Sequence, residues 1–391
     1  MAATTLSSCV RSCRLFVGTV VLLLAASPAL SQTVETKAKQ VYMVEQETGT
    51  VLLSREADTV VAPASNAKLM TMDVALDAIK SGTLALSSAF PVSEYAWRTG
   101  GAPSGTSTMF AAIKSSVPVS ALVTAIAVQF ANDACLILAE GLAGSEGAFV
   151  EKMNARARAL GLAASRFANA TGLPDPRNQT SMRDLVTLAR HLQETYPDFY
   201  SAYALPDFEW NKIRQRNRNP LIAANIGVDG LVTGFAEGQG FSIVASMARE
   251  GRRVFLAAGG FATDKERTEE SRKLLDWAMT DFARKRLFEA GETVAEAPVY
   301  GGAVPRVALV PTAPVDILLQ TSSQEKVVAE AVYHWPLKSP VAKGAVVGRL
   351  VVTRGGKTIR EVPLEAAEGV EEGPLTRRAA DALQELLFFW L

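Results

Sequence analysis

The spacing of apolar positions changes along this chain, from mixed helix and strand patterns to a long final stretch of short strand-like runs. An alternating segment at 39–53, centred on a Glu47-Thr48-Gly49 turn, predicts a pair of strands. Five later stretches, rich in Ala and Leu or opened by capping residues, predict helices, at 65–79, 120–142, 145–160, 181–195 and 268–286. Three β-type runs lie between the last two helices, at 228–233, 241–247 and 254–258. We therefore predict an α/β (α+β) domain with a helical region, an antiparallel sheet and a cleft between them.

The end of the chain has a different pattern. Beyond Gly291, six short β-type runs are separated by Pro and Gly, at 294–300, 307–309, 315–319, 329–334, 345–352 and 358–364. Regular short strands with such turns are typical of a small all-β domain. We therefore divide the chain into a mixed domain at 32–291 and a β-rich domain at 292–372, with a boundary drawn from composition.

The start of the chain has the pattern of an export signal. Arg11 and Arg14 precede an uncharged apolar run at 15–26, and a small-residue site ending at Ser31 follows. This order is that of a secretory signal peptide, so we expect residues 1–31 to be removed after export. The run is too short to cross a bilayer comfortably, which disfavours a transmembrane helix.

The C-terminal segment, 373–391, predicts an amphipathic helix. One stripe of the segment is apolar, most of its charges lie away from that stripe, and it ends Leu-Leu-Phe-Phe-Trp-Leu. Internal charges disfavour a span, so we prefer a helix that lies in the membrane interface. The alternative is that it packs on the protein's own core. Together with the signal peptide, this predicts a periplasmic protein attached to the outer face of the cytoplasmic membrane.

Composition excludes several classes of protein. Apolar residues form 48% of the 391 residues, enough for a real core, so the chain is neither wholly disordered nor collagen-like. Forty basic and forty acidic residues cancel, which argues against a nucleic-acid partner. Two histidines and three cysteines are too few for a structural zinc site, and we predict no metal and no cofactor. Cys9 and Cys13 leave with the signal peptide, so the exported chain keeps Cys135 alone and has no internal disulfide.

The tetrapeptide from Ser65 to Lys68 is the main candidate for chemistry. A serine hydroxyl is a weak nucleophile unless a base lies within hydrogen-bond distance, and residues three apart on a helix share a face. Partial burial at a helix N-terminus would lower the pKa of Lys68, so that the neutral amine could take the proton of Ser65. The spacing alone is weak evidence, since Ser323 and Lys326 repeat it in what we interpret as a solvated loop.

Further motifs accompany Ser65 and Lys68 along the chain. They are Asn132-Asp133-Ala134-Cys135, Asn217-Arg218-Asn219, Val228-Asp229-Gly230, Thr233-Gly234 and Gly259-Gly260. With them the chain resembles the low-molecular-mass penicillin-binding proteins, types 5 and 6, that act as D-alanyl-D-alanine carboxypeptidases. The likeness covers essentially the whole exported chain, including the β-rich domain and the terminal helix. In that family Ser-x-x-Lys, Ser-x-Asn and Lys-Thr-Gly motifs meet in one cleft, and the resemblance implies a serine β-lactamase/transpeptidase-like fold.

The resemblance also implies catalytic roles. Ser65 would attack the carbonyl between the two terminal D-alanines of a peptidoglycan stem peptide, with Lys68 as its base. The terminal D-alanine would leave, and water would hydrolyse the acyl-enzyme. Asn132 would hold the amide of the substrate. β-Lactams would acylate the same serine and act as covalent inhibitors.

Substrate-binding residues follow from the same resemblance. Thr233, which precedes Gly234, would hydrogen-bond the terminal carboxylate of the substrate, assisted by Arg218 and Arg267. The backbone N–H groups of Phe235 and of the nucleophile would form the oxyanion hole.

The chain departs from the family at two motif positions. Phe130 stands where Ser-x-Asn has its serine, so that a proton relay and an acceptor for the lysine are missing. Val232 stands where Lys-Thr-Gly has its lysine, which removes a positive charge near the substrate carboxylate. Loss of a proton-relay group costs roughly 10²–10⁴ in rate. Two interpretations follow: an enzyme that is slow or uses another proton route, and a catalytically weakened or inactive relative that binds peptidoglycan.

We favour a serine-type D-Ala-D-Ala carboxypeptidase of cell-wall maintenance, because Ser65, Lys68, Asn132 and Thr233 all remain. A β-lactamase is a third possibility. It would need fast deacylation, for which such enzymes use an added glutamate, and the sequence does not show whether Glu140 or Glu237 is placed for that role.

Overall fold

A computed structural model describes residues 15–20, 34–322 and 325–388 of the chain. It divides into a large unit, Thr33–Asp281, and a small unit made of Phe282–Leu391 with Met1–Gln32. Most of the predicted signal peptide, the serine of the second Ser-x-x-Lys pattern (Ser323) and the last three residues lie outside the described residues.

The elements are numbered in chain order. The strands are β1 (Leu15–Val20), β2 (Gln40–Glu45), β3 (Val51–Arg55), β4 (Ala89–Pro91), β5 (Ser116–Pro118), β6 (Asp207–Trp210), β7 (Ile213–Arg216), β8 (Val228–Ala236), β9 (Gly240–Arg249), β10 (Arg252–Phe261), β11 (Phe282–Phe288), β12 (Ala295–Tyr300), β13 (Arg306–Val310), β14 (Val315–Gln320), β15 (Val327–His334), β16 (Leu337–Lys338), β17 (Val346–Arg354) and β18 (Lys357–Ala366). The helices are α1 (Lys68–Lys80), α2 (Glu94–Gly100), α3 (Val119–Gln129), α4 (Asn132–Ala143), α5 (Glu146–Ala159), α6 (Met182–Thr195), α7 (Pro197–Tyr200), α8 (Pro220–Ala223), α9 (Asp264–Thr280) and α10 (Leu375–Phe388). Short 3-10 helices cover Ala64–Ala67, Ala102–Ser104 and Ser201–Ala204.

The large unit combines a five-stranded sheet with a helical region. The sheet has the order β3-β2-β10-β9-β8, and all its neighbouring strands are antiparallel. Helix α6 packs against β2 and β10, and helix α9 packs against β9 and β10, so the inner strands β9 and β10 carry long runs of buried residues. Helices α3, α4, α5 and α6 surround α1, whose apolar side chains belong to the main core. The predicted α/β fold class with an antiparallel sheet is confirmed.

The helix predicted at 120–142 is two helices, because the chain breaks at Phe130. This residue adopts a left-handed conformation with φ of 55° between α3 and α4. The sequence here contains good helix formers and gives no local stop signal. Tertiary bonds decide the break: the backbone N–H of Asn132 donates to Ser107 O at 2.7 Å, and the buried Asp133 carboxylate accepts bonds from the segment 108–111. Asn132 therefore stands at the start of a helix rather than in its middle.

The small unit is β-rich, as predicted. Its seven-stranded sheet has the order β1-β15-β17-β18-β13-β12-β16, and β11 pairs with β14. The boundary lies at Asp281 rather than at 291, and the predicted helix at 268–286 ends at Thr280. Phe282–Phe288 forms a strand because it pairs with the distant β14, with both phenylalanines buried. Gly291, with φ of 75°, lies in a turn inside this unit, so the change in composition there comes after β11 and not at the domain boundary.

A helix occupies most of the predicted C-terminal segment. It is α10, Leu375–Phe388, and Asp381 on it accepts a hydrogen bond from Gly301 N at 2.9 Å. Leu375 and Leu383 are 79% and 62% exposed. None of the helices in the described part of the chain is long and apolar enough to cross a membrane.

Candidate active site

Ser65 and Lys68 share one turn at the entry to α1. Ser65 belongs to the 3-10 helix Ala64–Ala67 and is partly exposed, whereas Lys68 opens α1 and is 1% exposed. In 3-10 geometry, residues three apart lie one above the other, and Lys68 Nζ lies 3.1 Å from Ser65 Oγ. The hydroxyl is thus open to a ligand while its neighbour is shielded from water.

Burial controls the charge of Lys68. Loss of hydration lowers the pKa of its amine from 10.5 to about 8, and the charge of Arg218 lowers it further. A Cys135 thiolate would raise the pKa of Lys68, but burial raises the pKa of that thiol to about 12, so it carries no charge at pH 8. The second partner of Nζ is an uncharged carbonyl, Thr171 O at 2.5 Å. A neutral amine that donates to this carbonyl keeps its lone pair free to accept the Ser65 proton.

The turn that supplies the Thr171 carbonyl is tightly built. Asn169 Oδ1 accepts hydrogen bonds from the backbone N–H groups of Thr171 and Gly172, at 3.3 and 2.7 Å. Gly172 has φ of 75°, and a Cβ there would lie 1.7 Å from Ala64 O. Only glycine therefore lets this turn pack against the residue before Ser65.

We predict that Gly172→Ala destabilises the protein by more than about 4 kcal/mol, because it adds a backbone clash to left-handed strain. Gly161→Ala is the matched control, since Gly161 has φ of 70° but no atom within 4 Å of its Cβ position; we expect it to cost only about 1–2 kcal/mol. Denaturant unfolding of both variants measures the difference. Equal losses would contradict the close packing of this turn on Ala64.

Asn132 presents an unpaired acceptor. Its Nδ2 donates to Thr106 Oγ1 at 2.9 Å, and the residue is only 4% exposed. Its Oδ1 is buried and has no hydrogen-bond partner among residues 34–322 and 325–388. Thr106 fixes the amide by its nitrogen, which leaves the oxygen as a buried acceptor without a partner in the described part of the chain.

The two departures from the family motifs are both apolar core residues. Phe130 is 2% exposed and Val232 is fully buried, and both belong to the main core of the large unit. Next to Val232 on β8, Thr233 is partly exposed, and Phe235 is 57% exposed with its ring 4.7 Å from that of Phe241. The strand therefore offers Thr233 and Phe235 to a ligand and turns Val232 inward.

Gly234 lies against the turn that carries Ser65. A Cβ on it would lie 3.0 Å from Asn66 Nδ2 and 3.3 Å from Ala64 Cβ. Strand β8 and the 3-10 helix Ala64–Ala67 are therefore in close contact at this point.

Arg218 and Arg267 add positive charge. Arg218 is exposed, and its backbone N–H donates to Val128 O at 3.0 Å, near the end of α3. Arg267 is 4% exposed and pairs with Asp264 at 2.6 Å. Burial lowers the pKa of Arg267, and the charge of Arg218 lowers it further, as it does for Lys68. The positive charge of Arg218 therefore acts on both Lys68 and Arg267.

The two glutamates considered for a β-lactamase, Glu140 and Glu237, are not hydrogen-bonded to Ser65 in the described part of the chain. Glu140 accepts a hydrogen bond from Ser93 Oγ at 2.6 Å. Glu237 is exposed in the turn between β8 and β9.

Sequence reasoning missed several residues around Ser65. They are Thr171 and Gly172, whose turn holds the amine of Lys68, Thr106, which orients Asn132, and the pair Asn66 and Ser242, which hydrogen-bond at 2.9 Å. Only the turn carries a local signal, an Asn followed three residues later by Gly.

Residues 26–260 match the family model described as D-alanyl-D-alanine carboxypeptidase. The chain belongs to this family. Residues 282–372 also match the model of the C-terminal domain of penicillin-binding protein 5. Both matches confirm the predicted family, the low-molecular-mass penicillin-binding proteins.

Relatives support membership over most of the chain. D-alanyl-D-alanine carboxypeptidase DacA of Escherichia coli (strain K12) is 33% identical over 90% of this chain and 88% of its own length. DacC of the same strain is also 33% identical, over 93% and 92% of the two chains.

Solved structures support the same fold. Penicillin-binding protein 5 of Haemophilus influenzae has a TM-score of 0.73 at 32% identity, covering 89% of this chain and all of its own. Penicillin-binding protein D2 of Listeria monocytogenes, in its ampicillin-bound form, has a TM-score of 0.55 at 26% identity, covering 64% of this chain and all of its own.

Proposed function

We propose that this member of the carboxypeptidase family is a serine-type D-Ala-D-Ala carboxypeptidase that removes the terminal D-alanine of peptidoglycan stem peptides. The observation that carries the proposal is the placement of a buried lysine amine, Lys68 Nζ, 3.1 Å from the accessible hydroxyl of Ser65. A lysine whose pKa is lowered to about 8 by burial can serve as a base near neutral pH. Family membership supports the reaction class.

In the proposed mechanism, neutral Lys68 takes the Ser65 proton while Oγ attacks the carbonyl carbon of the scissile amide. The N–H groups of Ser65 and Phe235 stabilise the oxyanion that forms. The C–N bond then breaks, D-alanine leaves, and the acyl-enzyme remains on Ser65. Water then attacks the ester carbonyl, the acyl C–Oγ bond breaks to release the shortened peptide, and the proton lost by the water returns to Ser65 Oγ.

Lys68 must also return a proton to the leaving amine. Phe130 has no hydroxyl for this step, whereas protonated Lys68 carries the proton it has just received from Ser65. One group therefore acts as base and then as acid. We expect turnover to be slower than with a separate hydroxyl relay, by a factor within roughly 10²–10⁴.

Substrate contacts are proposed for the remaining site residues. Asn132 Oδ1 has no partner in the described part of the chain and would accept an N–H of the stem peptide. Thr233 would donate to the terminal carboxylate, with Arg218 and Arg267 supplying the positive charge that Val232 does not. β-Lactams would acylate Ser65 in place of the substrate.

D-alanine release from a stem-peptide mimic by the purified exported chain tests the function. We expect slow but measurable release, and covalent labelling of Ser65 by a fluorescent penicillin. Stem-peptide binding with no release at high protein concentration, and labelling that appears only after Phe130→Ser with Val232→Lys, would instead show a peptidoglycan-binding relative that does not catalyse.

We further propose export by the signal peptide and attachment through α10 to the outer face of the cytoplasmic membrane. Asp381 of this helix bonds to Gly301 N, whereas Leu375 and Leu383 are exposed. A polar residue thus faces the protein and apolar ones face outward, which favours an interfacial helix over one docked on the core.

Deletion of residues 375–391 is expected to move the protein from the membrane fraction to the soluble periplasmic fraction, because the exposed apolar face is lost. Fractionation followed by immunoblotting measures the distribution, with Arg378→Ala as a control that keeps the apolar face. A deletion variant that still sediments with membranes would contradict the proposed anchor.

A further inference from the structure

The proposed oxyanion hole draws its two donors from different elements. Ser65 N–H belongs to the 3-10 helix before α1, and Phe235 N–H belongs to β8 at the edge of the sheet. Donors of this kind work only when both are fixed at the right separation from the oxyanion. The contact between the two elements therefore bears directly on the rate of acylation.

A buried amide bridges this contact. Asn66, the residue after the nucleophile, is 1% exposed, and its Nδ2 donates to Ser242 Oγ on β9 at 2.9 Å. Ser242 pairs in register with Gly234, the residue before Phe235. A Cβ on Gly234 would lie 2.9 Å from Ser242 Oγ and 3.0 Å from Asn66 Nδ2, so glycine is what lets the strand approach the amide.

Stability alone does not explain an asparagine at this position. Asn66 Oδ1 is buried and has no hydrogen-bond partner among the residues that the structure describes. A buried carbonyl oxygen without a partner is unfavourable, and an apolar side chain of similar size would avoid that cost. What the amide adds is the directional bond to Ser242. A second bond, from Ala62 N to Gln239 Oε1 in the turn between β8 and β9, is exposed and constrains the nucleophile turn less.

We propose that Asn66 is a positioning residue that sets the separation of the two oxyanion donors by tying the nucleophile turn to β9 through Ser242. The inference rests on the proposed function. Asn66 does not contact the substrate; it determines the positions of the backbone N–H groups of Ser65 and Phe235.

The test uses Asn66→Leu, Ser242→Ala and the double variant in the full exported chain. Stopped-flow acylation by a chromogenic β-lactam separates the acylation rate constant from the dissociation constant of the complex that precedes it. We expect each single variant to lower the acylation rate constant by about 10–100-fold and to leave the dissociation constant unchanged. The double variant should lose no more than the worse single variant, because both break the same bond.

Thermal unfolding distinguishes positioning from a merely structural role. Asn66→Leu should keep the melting temperature of the wild type or exceed it, since it removes an unpaired buried oxygen, while acylation still slows. Gln46→Leu is the matched control: it breaks an amide–amide bond of 2.7 Å to Gln193 and should leave acylation unchanged. The backbone N–H of Gln46 bonds to Arg253 O at one end of β10. Phe261 is at the other end of β10, where it pairs with Phe241 near the site.

Two results would overturn this inference and leave the carboxypeptidase proposal standing. In the first, Asn66→Leu is acylated at the wild-type rate. In the second, the acylation rate constant of the double variant falls by the product of the two single-variant reductions. A wild-type chain that neither reacts with the β-lactam nor releases D-alanine would overturn both.

Discussion

Ser65→Ala is expected to lower D-alanine release by about 10⁴–10⁶-fold, the loss seen when a serine nucleophile is removed from an enzyme that works through an acyl intermediate. The alanine variant has no oxygen to form the ester, so covalent labelling by penicillin should also disappear. Oγ is the only group of this side chain that contacts Lys68 Nζ, and Ser65 is partly exposed, so we expect the fold to tolerate the change. Release of D-alanine under single-turnover conditions measures the effect.

Ser120→Ala serves as the control for Ser65→Ala. Ser120 is an exposed serine of α3, and its substitution should change neither the labelling nor the turnover. Residual D-alanine release by Ser65→Ala near the wild-type rate, or a penicillin adduct found by mass spectrometry on another residue, would contradict the assignment of the nucleophile.

Lys68→Met is expected to slow acylation by roughly 10²–10⁴-fold, the usual effect of losing a positioned base. Methionine has a similar length and is apolar, so it suits a site in which the lysine is 1% exposed. Lys80→Met, at the other end of α1, is the control; its amine bonds to Thr195 O and lies outside the proposed site. Equal acylation rates in Lys68→Met and the wild type would contradict the proposed base.

The lowered pKa of Lys68 determines how the acylation rate should depend on pH. Burial favours the uncharged form of Lys68 and lowers its pKa to about 8. Only the neutral amine accepts the Ser65 proton, so the rate should rise with pH through about 8 and level off above it. Below pH 7 it should fall about tenfold per pH unit. Lys68→Met should lose this dependence.

The parts of the site that the sequence predicts are local ones. Ser65 and Lys68 lie on one turn, so their spacing alone places them together. Strand β8 is also recognisable in part from its own pattern: the predicted run at 228–233 includes Thr233, whereas the structure extends the strand to Ala236 and so includes Phe235. The order of the motifs along the chain then links these segments to a family, although it does not give the distances between their side chains.

The parts that the sequence does not predict depend on partners far along the chain. Thr171 O is 103 residues from Lys68, and Ser242 is 176 residues from Asn66. No periodicity carries information about such contacts. The break at Phe130 has the same origin, because local propensity favours a continuous helix and the bond from Asn132 N to Ser107 O overrides it. The small unit begins at Phe282 for a related reason, since β11 is a strand only when β14 pairs with it.

Direct titration of Lys68 tests the central claim, that an uncharged amine beside Ser65 takes its proton. Lysine labelled with carbon-13 at Cε would be followed by NMR from pH 6 to 11, with the Lys68→Met variant identifying the signal. We predict a midpoint near 8 for Lys68, matching the pH dependence of acylation. A Lys68 signal with its midpoint at 10.5, the ordinary value of a lysine amine, beside an acylation rate that is already maximal at pH 7, would contradict this claim.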